Sequence, residues 1–205
     1  MGQVQPAKDE QGISWMANDK MREDIGDTSI ITRFDLNKIY YVNNKDKTYS
    51  EIDLPADLEK VLPAEAMQYL QMMQVTATVT DTGETQKIKE WNCKKYLTEI
   101  SVSVMGMAMP MTIEMWTSKD LGIDLDTYKK LSKEAILLSP MLKGLIEEFQ
   151  KIDGYPVLTK TSMNMMGAET KSQEQVLSVE KKDAPPGTYD LPQGYTKTAF
   201  NPFQR

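Results

Sequence analysis

The sequence predicts a mainly antiparallel β protein, leaning to α+β, in which helical insertions cover the apolar face of a sheet. Two observations carry this. Over residues 12–54, runs of four to seven β-branched or aromatic residues alternate with short Asn, Asp and Gly turns. The period then switches to a helical one twice, after Leu54-Pro55 and again over residues 119–153.

The elements follow in order. Gly12–Ala17 alternates, and Asn18-Asp19-Lys20 turns the chain into Lys20–Ile25. Gly26-Asp27 precedes a β-branched run at 28–34, and Asp35-Leu36-Asn37-Lys38 turns it into 39–42. Asn43-Asn44-Lys45-Asp46 leads to a further strand at 48–54. Past Leu54-Pro55, residues 57–62 suit a short helical piece. Pro63 fits the first position of a helix at 64–74, where its missing N–H costs nothing; Met67, Leu70 and Met73 form the apolar stripe.

Strands resume at 75–80, with Asp81-Thr82-Gly83-Glu84 as a turn, and continue at 86–90, 95–104 and 111–118. Ile100, Val102 and Val104 fall on one face of their strand, and Glu99, Ser101 and Ser103 on the other. Residues 119–153 read as helical, with Asp124 as N-cap and Leu125, Tyr128 and Leu131 on one side. Ser139-Pro140 restarts the helix. Leu142, Leu145, Phe149 and Ile152 form a second stripe, which Gly154 closes. Strands at 157–165 and 172–181 make a last hairpin, and the Pro-rich stretch 185–205 reads as a short strand plus an extended wrap. No repeat or linker interrupts residues 1–205, so a single domain is expected.

Composition removes several classes of function. The net charge is −6, which gives a nucleic-acid partner no electrostatic support. Histidine is absent, and with it the commonest general base, the usual triads and imidazole metal sites. Cys93 is the single cysteine and reads as a buried structural residue. Asp120, Asp124 and Asp126 lack the spacing of a calcium loop. No apolar run reaches the length of a membrane span, and the opening residues carry no signal-peptide pattern. No phosphate loop, nucleophile elbow or marked carboxylate pair occurs, so no catalytic residue and no cofactor is expected.

The most unusual stretch is residues 101–116. Methionine falls on every second position at Met105, Met107, Met109 and Met111, and returns at Met115. Three readings are open: packed core, the lining of an apolar binding surface, or a thioether site for Cu(I). Pro110 cannot donate to a ladder, so Gly106–Pro110 is expected to turn the chain, with Met105 in register with the polar face. A second methionine-rich hairpin end lies at Met163, Met165 and Met166.

Several short pieces carry a family likeness. Ile13-Ser14-Trp15-Met16, Asp19-Lys20-Met21-Arg22, Ile30-Ile31 and Lys38-Ile39-Tyr40-Tyr41 resemble the opening strands of the lipoprotein carriers LolA and LolB. Thr188-Tyr189-Asp190-Leu191-Pro192-Gln193-Gly194-Tyr195 looks like the carriers' last strand. A nearer resemblance is to an uncharacterised exported bacterial domain-of-unknown-function family related to that fold. It rests on Asp19-Lys20-Met21-Arg22, Lys47-Thr48-Tyr49-Ser50-Glu51, Lys87-Ile88, Trp91-Asn92-Cys93-Lys94-Lys95-Tyr96 and Met115-Trp116-Thr117-Ser118-Lys119-Asp120. The carriers' basic residue near the first turn has no counterpart in Ala17-Asn18-Asp19.

What the resemblance implies is a strongly curved, incomplete β-barrel with helical insertions on its concave face, its first strand preceding the chain as given. It also implies an extracytoplasmic place in the periplasm or cell envelope. A non-enzymatic protein is then expected, binding a lipid, acyl chain or lipoprotein in the cleft, with Met105, Met107, Met109, Met111, Ile113, Met115, Met163 and Met165 as the contacts. The alternatives are a methionine-rich Cu(I) protein and a structural or protein-interaction module of the envelope with an envelope protein as partner.

Overall fold

The computed structural model describes residues 9–17, 19–57, 60, 67–68, 72–104, 107–137, 145–165 and 168–200. Among them the chain is mainly antiparallel β, with two sheets, two helices and no closed barrel. It divides into two compact units, and the first is assembled from three separate stretches of sequence, Met1–Pro63, Asp126–Leu138 and Lys182–Arg205.

The first unit holds sheet A, in the order β1-β2-β3-β4-β5-β11. Strands β1 (Gly12–Ala17), β2 (Lys20–Ile25), β3 (Thr28–Arg33), β4 (Lys38–Asn43) and β5 (Thr48–Asp53) form a meander whose neighbours pair antiparallel. The turn residues act as their chemistry requires. Asn37 takes φ 53 after a 3-10 turn at Phe34–Leu36, and the Asp46 N–H donates to Asn43 Oδ1 at 2.9 Å. Within the stretch 185–200, β11 (Thr196–Lys197) lies parallel beside β5.

That tail covers one face of sheet A. Tyr189, Leu191 and Tyr195 pack on Ile31, Tyr40 and Val42, and charged ties hold the tail there. Arg22 Nη1 donates to Thr188 O at 3.1 Å and Arg33 Nη1 to Tyr189 O at 3.2 Å, while Arg33 also meets Asp190 at 3.3 Å. Helix α1 (Leu125–Leu137) belongs mostly to this unit, where Glu134 Oε2 accepts a bond from the Ala56 N–H at 3.1 Å.

The second unit holds sheet B, in the order β10-β9-β8-β7-β6. Its strands are β6 (Met73–Ile88), β7 (Trp91–Val104), β8 (Met107–Ser118), β9 (Tyr155–Met165) and β10 (Ala168–Gln175), all antiparallel to their neighbours. One end is closed by a core of Ile88, Trp91, Cys93, Trp116, Leu121 and Val157. The edge at β6 is met by helix α2 (Ile146–Phe149), whose Glu148 Oε2 accepts the Val79 N–H at 2.9 Å and so occupies an edge donor.

Four expectations for this unit need correction. Asp81-Thr82-Gly83-Glu84 does not reverse the chain. It is absorbed as a bulge inside one long β6, with Gly83 at φ +72 and its N–H donating to Asp81 Oδ1 at 3.1 Å. Met73, expected on a helix, opens that strand opposite Val104.

Pro110 likewise lies within β8, opposite Ser101. Pairing between β8 and β9 starts only at Met111, so Pro110 stands where the strand is paired on one side, a place that tolerates proline. Gly154, expected to close a helix, instead precedes β9 at φ +97. A Cβ there would lie 2.9 Å from Ser118 O, so only glycine fits. The helical readings at 57–62 and 64–74 fall mostly outside the described residues, as do Met105, Gly106, Ser139-Pro140 and Met166.

Candidate functional site

The register of β7, β8 and β9 decides where the methionines go. Val104 pairs with Met107, Val102 with Met109, Ile100 with Met111, Thr98 with Ile113 and Tyr96 with Met115. Directly opposed residues of an antiparallel pair share a face. The methionine row of β8 therefore lies on the apolar side of β7, away from Glu99, Ser101 and Ser103. On the next strand Met163 stands opposite Met111, with Thr161 opposite Ile113 and Thr159 opposite Met115. The two methionine-rich hairpins thus meet on one face of one sheet.

Of the eight residues predicted from sequence, Met107, Met109, Met111, Ile113, Met115 and Met163 come together there. Met165 follows Met163 at the next same-face position of β9, and Met105 lies outside the described residues. Sequence reading missed the neighbours supplied by β6, Val75, Ala77 and Val79, which pair with Val102, Ile100 and Thr98. Their signal was present in the alternation Val75-Thr76-Ala77-Thr78-Val79. What tied that alternation to the methionines was the pairing, which is not local.

Burial is graded across this face. Ile100 is 3% exposed, Val102 8% and Val79 5%, while Met109, Met111, Ile113, Met115 and Met163 are half-buried and Met107 is 62% exposed. Thr98 is fully buried between Val79 and Ile113, and its hydroxyl has no hydrogen-bond partner among the described residues. The opposed stretches Met73–Val79, Thr98–Val104, Met107–Ile113 and Thr161–Met163 carry no charged side chain on this side; farther along the same side stand Asp81, opposite Tyr96, then Lys94, and Glu174 of β10, opposite Thr159.

The reverse side carries a charged cluster around Glu114. Glu114 accepts from Trp116 Nε1 at 3.0 Å and from Lys160 Nζ at 3.2 Å, with Lys95 at 3.5 Å, and these donors hold its carboxyl below the usual range.

Two other features carry less. Cys93 is 2% exposed, its Sγ donates to Trp91 O at 3.6 Å, and burial pushes the thiol up in pKa, the opposite of an activated cysteine. A polar cleft of about 280 Å³ is lined by Asn92, Lys94, Tyr96, Thr117, Lys119 and Asp153, among others. Its charges are already matched: Lys119 pairs with Asp153, Asn92 with Asp120 and Lys94 with Asp81. No cluster of three or more His, Cys, Asp or Glu side chains suited to a metal ion occurs among the described residues.

The fold and this face define an antiparallel β protein of two sheets, one of which presents a methionine-faced trio of strands. The chain belongs to the family described as Domain of unknown function (DUF4412), whose model matches residues 7–195. No curated protein and no solved structure matches it.

Proposed function

We propose that this chain is a non-enzymatic, extracytoplasmic protein of the periplasm or cell envelope that binds the acyl part of a lipid or lipoprotein. The observation that carries the reading is the apolar row in which Met109, Met111, Ile113, Met115 and Met163 remain half-buried. Unbranched thioether side chains adapt to an irregular apolar occupant better than branched ones do. From Met107 to Met115 the row runs about 27 Å at the rise of an antiparallel strand, a length suited to an extended acyl chain. The LolA/LolB-like reading belongs here too: a curved half-barrel with helical pieces on its concave face would enclose such a row as a cleft.

The test is direct. Lipids that co-purify with the chain are identified by mass spectrometry, and displacement of a fluorescent fatty acid is measured on the wild type and on Met111→Glu. Bound lipid, with displacement lost in the charged variant, is the expected result. Neither lipid nor displacement in the wild type would overturn it and leave a structural or protein-interaction role in the envelope.

A further inference from the structure

We propose that Met109, Met111 and Met163 form a thioether site for Cu(I). The inference rests on sulfur donors and strand register, and so goes beyond the apolar-ligand reading, which rests on the apolar row. Met111 and Met163 are direct cross-strand partners, and Met109 is the next residue along β8 on the same face. Opposed Cα atoms in an antiparallel pair lie about 4.5–5.5 Å apart, and same-face neighbours on one strand about 7 Å apart. Three flexible side chains rooted on a triangle of that size can bring their sulfurs to one ion without moving the backbone.

The donor set also decides which ion. Thioethers are soft ligands that select Cu(I) over harder cations. The positions opposite Met109, Met111 and Met163 on their outer neighbours are Val102, Ile100 and Thr170, so magnesium, calcium and zinc would find no carboxylate beside the three sulfurs, and the chain has no histidine. Half-burial keeps the sulfurs reachable while limiting water at the ion. Thioethers carry no proton to displace, unlike thiolate, imidazole or carboxylate ligands. Binding at this site is therefore independent of pH.

The experiment is an anaerobic Cu(I) titration of the full chain against a Cu(I)-specific chelator at pH 5, 6.5 and 8. Ag(I) serves as a monovalent probe that needs no reductant. One equivalent is expected to bind with the same affinity at all three pH values, and to remain in Cys93→Ala. Met111→Leu and Met163→Leu are each expected to weaken binding about tenfold or more, because each removes a donor. Leucine keeps the face apolar, so these variants retain their circular dichroism, which separates loss of a donor from loss of the fold. Absence of competition with the chelator would overturn the proposal. So would affinity that falls with pH, or that survives in the combined Met109, Met111 and Met163 leucine variant. Each of these outcomes leaves the lipid reading standing.

Discussion

In sheet A, Ile31 and Val42 are 0% and 1% exposed beneath aromatic residues that the chain's own tail supplies, whereas in sheet B the residues Met109, Met111, Met115 and Met163 stay half-buried. The side chains differ to match. Sheet A meets a fixed occupant with β-branched and aromatic residues, and Arg22 and Arg33 tie that occupant down. Stiff side chains suit a partner whose shape never changes, since they lose little freedom on packing. Sheet B closes its Trp91–Trp116 end with a rigid core and faces the other end with unbranched thioethers. Flexible side chains specify a packing poorly but accommodate a changing one. On the readings proposed above, the second sheet is faced for an occupant that comes and goes.

The strongest way to break this comparison is to truncate one residue from each face. Ile31→Ala is expected to cost about 2–5 kcal/mol in urea unfolding, the range for a large-to-small change in a packed core. Met111→Ala should cost only about 1 kcal/mol, because its side chain is already partly in water. Equal losses would make the methionine row ordinary core and remove the basis of both proposals.

A smaller effect, opposite in sign, tests the deep end of the same face. Thr98 is wholly buried, its hydroxyl without a partner among the described residues, while Val79 and Ile113 beside it are apolar. Thr98→Val keeps the branched shape and removes the unsatisfied group, so it should raise stability by about 1 kcal/mol. A fall in stability would mean that the hydroxyl has a partner in solution, which sharpens the face into a site with a polar contact at one end.

The meander β1–β5 was legible because its signals are local. Asn, Asp and Gly turns sit beside the strands they join, and the turn at Asn43–Lys47 needs nothing distant to form. The two misread turns fail for one reason: Asp81-Thr82-Gly83-Glu84 and Pro110 carry turn chemistry, but pairing partners at Tyr96 and Ser101 extend the strands through them. The candidate site was half legible. The alternation of methionines announced a face, yet which face, and which strands share it, depends on the register of β8 against β7, in which Val104 pairs with Met107. Shifting that register by one residue would send the methionines to the side of Glu99 and Ser101. No composition or periodicity within either strand records that choice.

The smallest effect expected lies in the ionic ties of sheet A. Arg33 Nη2 lies 2.6 Å from Asp35 Oδ2 and Lys20 Nζ 3.6 Å from it, and the hydrogen bond from Arg33 is the main reason the Asp35 carboxyl is held at about 2. An unfolded Asp titrates near about 3.9. The folded state therefore gains from the ionised carboxylate above about pH 4 and loses that gain as pH falls toward about 2. Both partners are partly in water, so the gain is modest and screened by salt. Thermal unfolding of wild type and Asp35→Asn should show a gap at neutral pH that closes between about pH 4 and 2. Met111 belongs to no such pair, so Met111→Leu should follow the wild type's pH profile at a constant offset. A wild-type to Asp35→Asn gap that ignores pH would show that the Arg33–Asp35 pair does not stabilise the sheet A unit in solution.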